Sequence, residues 1–267
     1  MVIQKIKKLI SNLQKFNMPK NLDDKVIKDG KPKGVIRMFT SIRSKLIIAF
    51  LVPVVLIVFL GSISYSRSAS GLINSYENAT MSNLLNMANS LDFGFSIVSS
   101  KANFLNSNQV LTNYYTGYYK DNQIEDMGRY REVQQLITSN ILSESYIGNI
   151  YLLANYGTAI SGNGTLSSKL IYEDFLLEGE GAILEEKGVS ELWTGSHPYL
   201  DTQSQTSDDT YAISYMRTLT NAANKPIGCI VLDVSYDYVG NILAESGLAE
   251  ESVIAFITQD GKEIIYG

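Results

Sequence analysis

The chain of 267 residues has one histidine, one cysteine and one tryptophan. So few ligating and nucleophilic side chains exclude multi-ligand zinc sites and Cys–His pairs of the usual kind. Neither a glycine-rich phosphate loop nor a nucleophile elbow is present, so the chain is read as non-enzymatic and without a cofactor. Cys229 has no second cysteine to pair with, and its apolar run suits a small buried side chain. Basic residues are scarce over most of the length. Residues 67–267 hold 10 Lys/Arg against 24 acids, a balance that speaks against nucleic acid as a partner.

Charge is missing altogether from Leu46 to Ser66, 21 consecutive residues. At about 1.5 Å of rise per residue, that run crosses the roughly 30 Å hydrocarbon core of a bilayer. Only a helix satisfies its backbone there, and membrane helices tolerate a proline such as Pro53. Residues 1–45 carry 12 Lys/Arg and 3 acids, which is a net +9 facing a net −14 beyond the span. That asymmetry predicts a cytoplasmic N-terminus and an extracytoplasmic C-terminal part. A cleaved secretory signal would carry a basic region of only a few residues. Ile3, Ile6, Leu9, Ile10, Leu13 and Phe16 share one helical stripe away from Lys5, Lys8 and Lys15. Residues 1–16 thus suit either an anionic membrane surface or a short lead-in, and residues 17–40 read as a linker.

After the span, a proline-free stretch from Ser68 to about Leu111 is predicted to be one long helix. Met81, Leu84, Ala88, Leu91, Phe95, Val98, Ala102 and Leu105 recur at alternating spacings of three and four. Two readings fit: a homodimer seam, or a helix lying along its own domain. A helix is expected over Ile124–Leu142, strands over Tyr146–Ala154 and Thr158–Ser161, and an interrupted helix over Leu170–Glu186. Strands are expected at Leu192–Gly195, Tyr211–Leu219 and Ile227–Val234, a helix at Tyr236–Ser246, and a hairpin from Val253–Thr258 to Glu263–Tyr266. Hairpin-linked strands argue for an antiparallel sheet packed on helices, an α+β architecture. The divisions are a basic segment 1–45, a span 46–66, a long helix with a first module over 67–250, and the start of a second module at 251–267.

Binding residues are more legible than catalytic ones. Trp193 to Asp201 (WTGSHPYLD) places two aromatics and a carboxylate in nine residues read as lying outside regular structure. Trp193, Tyr199 and Asp201 suit a ligand with a cationic or amine group. Asp233 ends the apolar strand IGCIVLD, where its carboxylate would reach the same pocket. Strict alternation puts Tyr211, Ile213, Tyr215 and Arg217 on one face, with Arg217 a partner for a ligand carboxylate. His197, followed by proline, is read as a turn residue at the rim of the site rather than an acid or base.

Taken together, the single anchor, the long helix, the antiparallel sheet, W-x5-PYLD, IGCIVLDVSYDYV and the hairpin around QDGKEI resemble a double Cache (tandem PAS-like) sensor. The segment FTSIRSKLIIAFLVPVVLIVFLGSISY is similar to the anchor of bacterial methyl-accepting chemotaxis proteins. The resemblance covers roughly residues 38–267. It implies an extracytoplasmic module that binds a small polar solute, a homodimer, and an output part that either lies beyond the present chain or has been lost. It assigns Tyr199, Asp201 and Asp233 to the ligand's amino group. The helical stretch LLEGEGAILEEKG has no counterpart to the family's arginine and Trp-Tyr pair for the ligand carboxylate. The same input serves histidine kinases and nucleotide cyclases, and a tethered adhesion protein needs no pocket at all.

Overall fold

A computed structural model describes residues 42–164, 166–167, 172–245 and 252–266. The basic segment 1–16 and the linker 17–40 lie outside the described residues. The chain divides into two compact units, one ending at Ser70 and one beginning at Gly71.

Helix α1, Ile42–Asn106, is a single element of 65 residues that contains the whole uncharged run, with Pro53 inside it. It is long and apolar enough to cross a membrane. Among the described residues none of its apolar window is buried, whereas a core helix of a soluble protein would be covered. Phe50, Ile57 and Phe59 are all exposed. In hydrocarbon that exposure is favourable.

The second unit is a mixed helix and antiparallel-sheet structure. α2, Gln109–Tyr115, and α3, Gln123–Ser143, follow α1. The long helix stops at Asn106 because Asn108 caps a new one, its side chain accepting from the amides of Val110 and Leu111. The long helix expected to reach Leu111 is therefore two. β1 (Ile147–Ala154), β2 (Ile160–Ser161), β3 (Glu191–Thr194), β4 (Tyr211–Thr220) and β5 (Pro226–Ser235) form one sheet in the order β2-β1-β5-β4-β3, with every pairing antiparallel. Between β2 and β3 lie α4, Tyr172–Glu178, and α5, Gly181–Lys187, separated at Gly179. α6, Pro198–Ser204, links β3 to β4, and α7, Tyr236–Ala244, follows β5.

The central strands are buried on both faces, which explains why β5 is an almost unbroken apolar run. One face carries Ile150, Leu152, Tyr215, Ile230, Leu232 and Val234 and packs on α1, α2, α3 and α7. The other carries Tyr151, Leu153, Met216, Cys229 and Val231 under Phe175, Leu184 and Leu200 from α4, α5 and α6. Burial pushes the Cys229 thiol up to about 12, so it stays protonated and inert.

From Leu91 onward the three–four repeat of α1 is spent on its own sheet. Val98, Ala102 and Leu105 are fully buried, while Leu91 and Phe95 pack at the edge of the same core. A cysteine placed at Val98 is expected to resist thiol labelling in the folded protein, whereas one at Phe93, which is 61% exposed, reacts readily. Equal labelling rates at the two positions would contradict this packing.

β6 (Ile254–Ile257) and β7 (Glu263–Tyr266) form a separate two-stranded sheet. An isolated hairpin is marginal in water. This one is held by Ile264, which is buried in the main core, and by Phe256 beside Phe95 at 5.9 Å between ring centroids.

Candidate ligand-binding site

Three polar residues sit side by side across the centre of the sheet. Asn149 on β1 and Ser214 on β4 both pair in register with Asp233 on β5. All three are buried, on the face toward α6. A carboxylate in such a place must be compensated, and α6 brings the compensating group.

Pro198 is the first residue of α6, where its fixed φ and missing N–H cost nothing. The helix therefore starts immediately after His197, and His197 and Asp201 fall one turn apart on the same side. His197 is fully buried. Its Nε2 lies 2.7 Å from Asp233 Oδ1, and its Nδ1 lies 3.1 Å from Asp201 Oδ1. The second contact is close enough for an ion pair but is not aligned as a hydrogen bond. Ser214 Oγ donates to the same Asp233 Oδ1 at 2.7 Å. The imidazole lies flat on the Tyr211 ring, 4.1 Å between centroids and 10° between planes, and meets the edge of Tyr151. Burial alone would lower the His197 pKa, but Asp233 and Asp201 outweigh it and push it up to about 10. At neutral pH this is an imidazolium held between two carboxylates.

Tyr211 ties the cluster to its surroundings. Its hydroxyl accepts from the His197 amide at 2.9 Å and shares its proton between Asp201 Oδ2 and Asp208 Oδ1, each at 3.0 Å. Burial raises its pKa far above the ordinary range, so the hydroxyl remains a donor. Lys262, from the loop before β7, places Nζ 3.7 Å from the centroid of the same ring and pairs with Asp208. That pairing helps hold the Asp208 carboxyl below its usual range. Asp260 of the same loop accepts from the amides of Gly195 and Ser196, directly ahead of His197.

A cavity of about 140 Å³ opens beside this cluster, lined by Asn149, Tyr151, Asn163, Thr206, Tyr211 and Asp233 among others. Asn149 shapes one wall, its Oδ1 accepting from the amides of Ile150 and Asn163 and its Nδ2 donating to Ser161 Oγ. Both side-chain contacts to the Asp233 carboxylate among the described residues, from His197 and Ser214, fall on Oδ1. Among the described residues Oδ2 has no partner, and Asp233 is part of the cavity lining. A small solute entering here meets one carboxylate edge, amide and hydroxyl groups, and two tyrosine rings.

The structure brings Asp201 and Asp233 together through His197 and disperses the other candidates. Tyr199 lies on α6 but turns toward Phe175, and its amide donates to Glu180 Oε1. Trp193 packs between Phe95 and Tyr215 on the sheet face toward α1. Arg217 and the Tyr215 hydroxyl both meet Glu191 Oε2, at 2.7 and 2.6 Å. Trp193, Tyr215 and Arg217 are thus on the opposite side of the sheet from the cavity.

Strict alternation on β4 fails at one residue. Tyr211 and Ile213 oppose Ser235 and Val234, leaving Ala212 as the extra residue of a bulge. The bulge turns Tyr211 to the side of Ser214, away from Tyr215. The stretch read as irregular is also partly ordered, since Trp193 and Thr194 end β3 and Pro198–Asp201 begin α6. Tyr151, Asn149 and Ser214 are site residues that sequence reasoning passed over. His197, read as a turn residue at the rim, is instead fully buried between Asp201 and Asp233, because Pro198 opens a helix behind it. The pattern His-Pro-x-x-Asp was the available signal, because a proline that opens a helix sets the histidine and aspartate one turn apart. No protein-family model and no curated protein matches the chain.

Proposed function

We propose that this chain is the sensory portion of a bacterial chemotaxis receptor of the double Cache type. In this reading α1 crosses the cell membrane once, with the basic N-terminus in the cytoplasm and the α+β unit outside. The observation that carries it is the cavity at Asp233, walled by Asn149, Tyr151 and Tyr211 on a buried sheet face. A cavity of about 140 Å³ that offers a carboxylate edge, amides and hydroxyls has room for a small solute but not for a peptide or nucleic acid. A long helix packed along an antiparallel sheet, with Asp201 and Asp233 both meeting His197, supports the PAS-like reading. Capture of the solute shifts α1 relative to the same helix of a second copy, and the displacement is the signal.

A thermal-shift screen of polar metabolites against the full chain in detergent micelles tests the reading. A ligand at 100 times its dissociation constant should stabilise by about 2.7 kcal/mol, and the hit should be lost in Asp233→Ala. A broad screen with no stabilising solute would sink it.

A further inference from the structure

We propose that His197 is a tethered occupant of a cation subsite, and that the positively charged group of the solute displaces it from Asp233. This rests on the solute-sensor reading and specifies how the same site is filled.

The cluster has the features of a bound cation and its receptor. A planar N–H donor lies flat on a tyrosine ring, edge-on to a second, with a carboxylate at each nitrogen. An ammonium or amidinium group uses the same contacts, namely charge-assisted hydrogen bonds and an aromatic face. Two carboxylates around one imidazolium leave a net negative charge, which repels an anion and admits a cation. Two further observations point to exchange rather than to a closed structural ion pair. The cavity reaches Asp233 itself, so an incoming group meets the carboxylate without unfolding α6. Nδ1 of His197 is buried without an aligned hydrogen-bond partner, so one side of the ring is held only by charge. The groups facing the ring are Asp201, Asp233, Tyr151 and Tyr211, with Asp208 and Lys262 acting through Tyr211.

The occupant lowers the apparent affinity of any competing cation, because only the fraction of molecules with His197 displaced is competent to bind. Removing it should therefore tighten binding, whereas the loss of a ligand contact would weaken it.

His197 is the chain's single histidine, so ¹⁵N-histidine labelling of the full chain in micelles reports this site alone. Methylammonium chloride is titrated at pH 7 against sodium chloride at equal ionic strength. A saturable shift of the His197 ring nitrogens is expected, with affinity about ten-fold tighter or more in His197→Ala. Imidazole at pH 6 should bind the emptied site of that variant and raise its melting temperature, with no comparable effect on the parent protein. Should His197→Ala not fold, the titration of the parent protein decides by itself. Saturable methylammonium binding that leaves the His197 signals in place overturns the proposal while leaving a sensor of another kind standing. No response in either protein, or weaker binding in the variant, overturns it as well. If imidazole rescues His197→Ala but no screened solute stabilises the parent protein, the subsite stands and the sensor reading falls.

Discussion

Replacing His197 by alanine is expected to lower the stability of the second unit by roughly 3–5 kcal/mol, the usual cost of removing one partner of a buried ion pair. The magnitude reflects the charges left behind. Asp233 is 2% exposed and keeps only the Ser214 hydroxyl, while Asp201 keeps Tyr211 and Thr206. Two carboxylates then face each other across an emptied space with no cation between them. Adding Asp233→Asn should recover part of the loss, because it removes one of the orphaned charges. The double variant would then depart from additivity by about 1–3 kcal/mol, as residues in one network do. Trp193 is the only tryptophan and packs, partly buried, against the main core, so its fluorescence follows denaturant unfolding of the full chain in micelles. A loss within about 0.5 kcal/mol, typical of a surface substitution, would mean that His197 is neither charged nor paired as described.

The second large effect is on the dependence of stability on pH. His197 titrates near 6.5 in the unfolded chain and at about 10 when folded. Between those values the folded state holds a proton that the unfolded state has released. The stabilisation is therefore complete below about pH 6.5 and is lost progressively as pH rises toward about 10, by a few kcal/mol in all. Tyr211 and Tyr151 are also raised by burial, so the decline continues above pH 10. Unfolding midpoints at pH 6, 8 and 10 should fall in that order, and His197→Ala should be nearly flat between pH 6.5 and 10. A parent protein that is equally stable at pH 6 and pH 9 would exclude a charged His197. The acid limb has the opposite sign. Asp208 and Asp260 are held below their ordinary range by Lys262 and by hydrogen bonds from Thr258 and nearby amides, and their contribution disappears as pH falls through their folded values.

Much of the architecture was legible because the elements that carry it are strongly patterned. The apolar runs of β1 and β5, the alternating β4 and the amphipathic α3 lie within a residue or two of where periodicity puts them. The α+β class follows from hairpin-linked strands, and the membrane-length helix follows from an uncharged run of 21 residues. Short elements were lost where a single residue decides them. Asn108 starts α2 within what reads as one continuous helix, and Pro198 starts α6 where a proline after histidine reads equally as a turn. Of the site, Asp201 and Asp233 were read as carboxylates of one pocket; they meet through His197, and of the two Asp233 lines the cavity. His197 was placed at the rim rather than between them because a buried cation has no periodic signature. The misplacement of Tyr211 has a geometric cause, since one bulged residue reverses every inference from alternation beyond it.

The hold of Asp260 on the amides of Gly195 and Ser196 bears on the order in which the molecule assembles. By the time β5 has been synthesised, every residue in contact with the His197 ring exists. The backbone that aims the ring still lacks its restraint, which comes from a loop 64 and 65 residues later in sequence. Contacts closed over such long loops form late in folding. The histidine should therefore settle between its aspartates only after the last hairpin docks, and a nascent chain short of that hairpin would present two unquenched carboxylates in a half-built core.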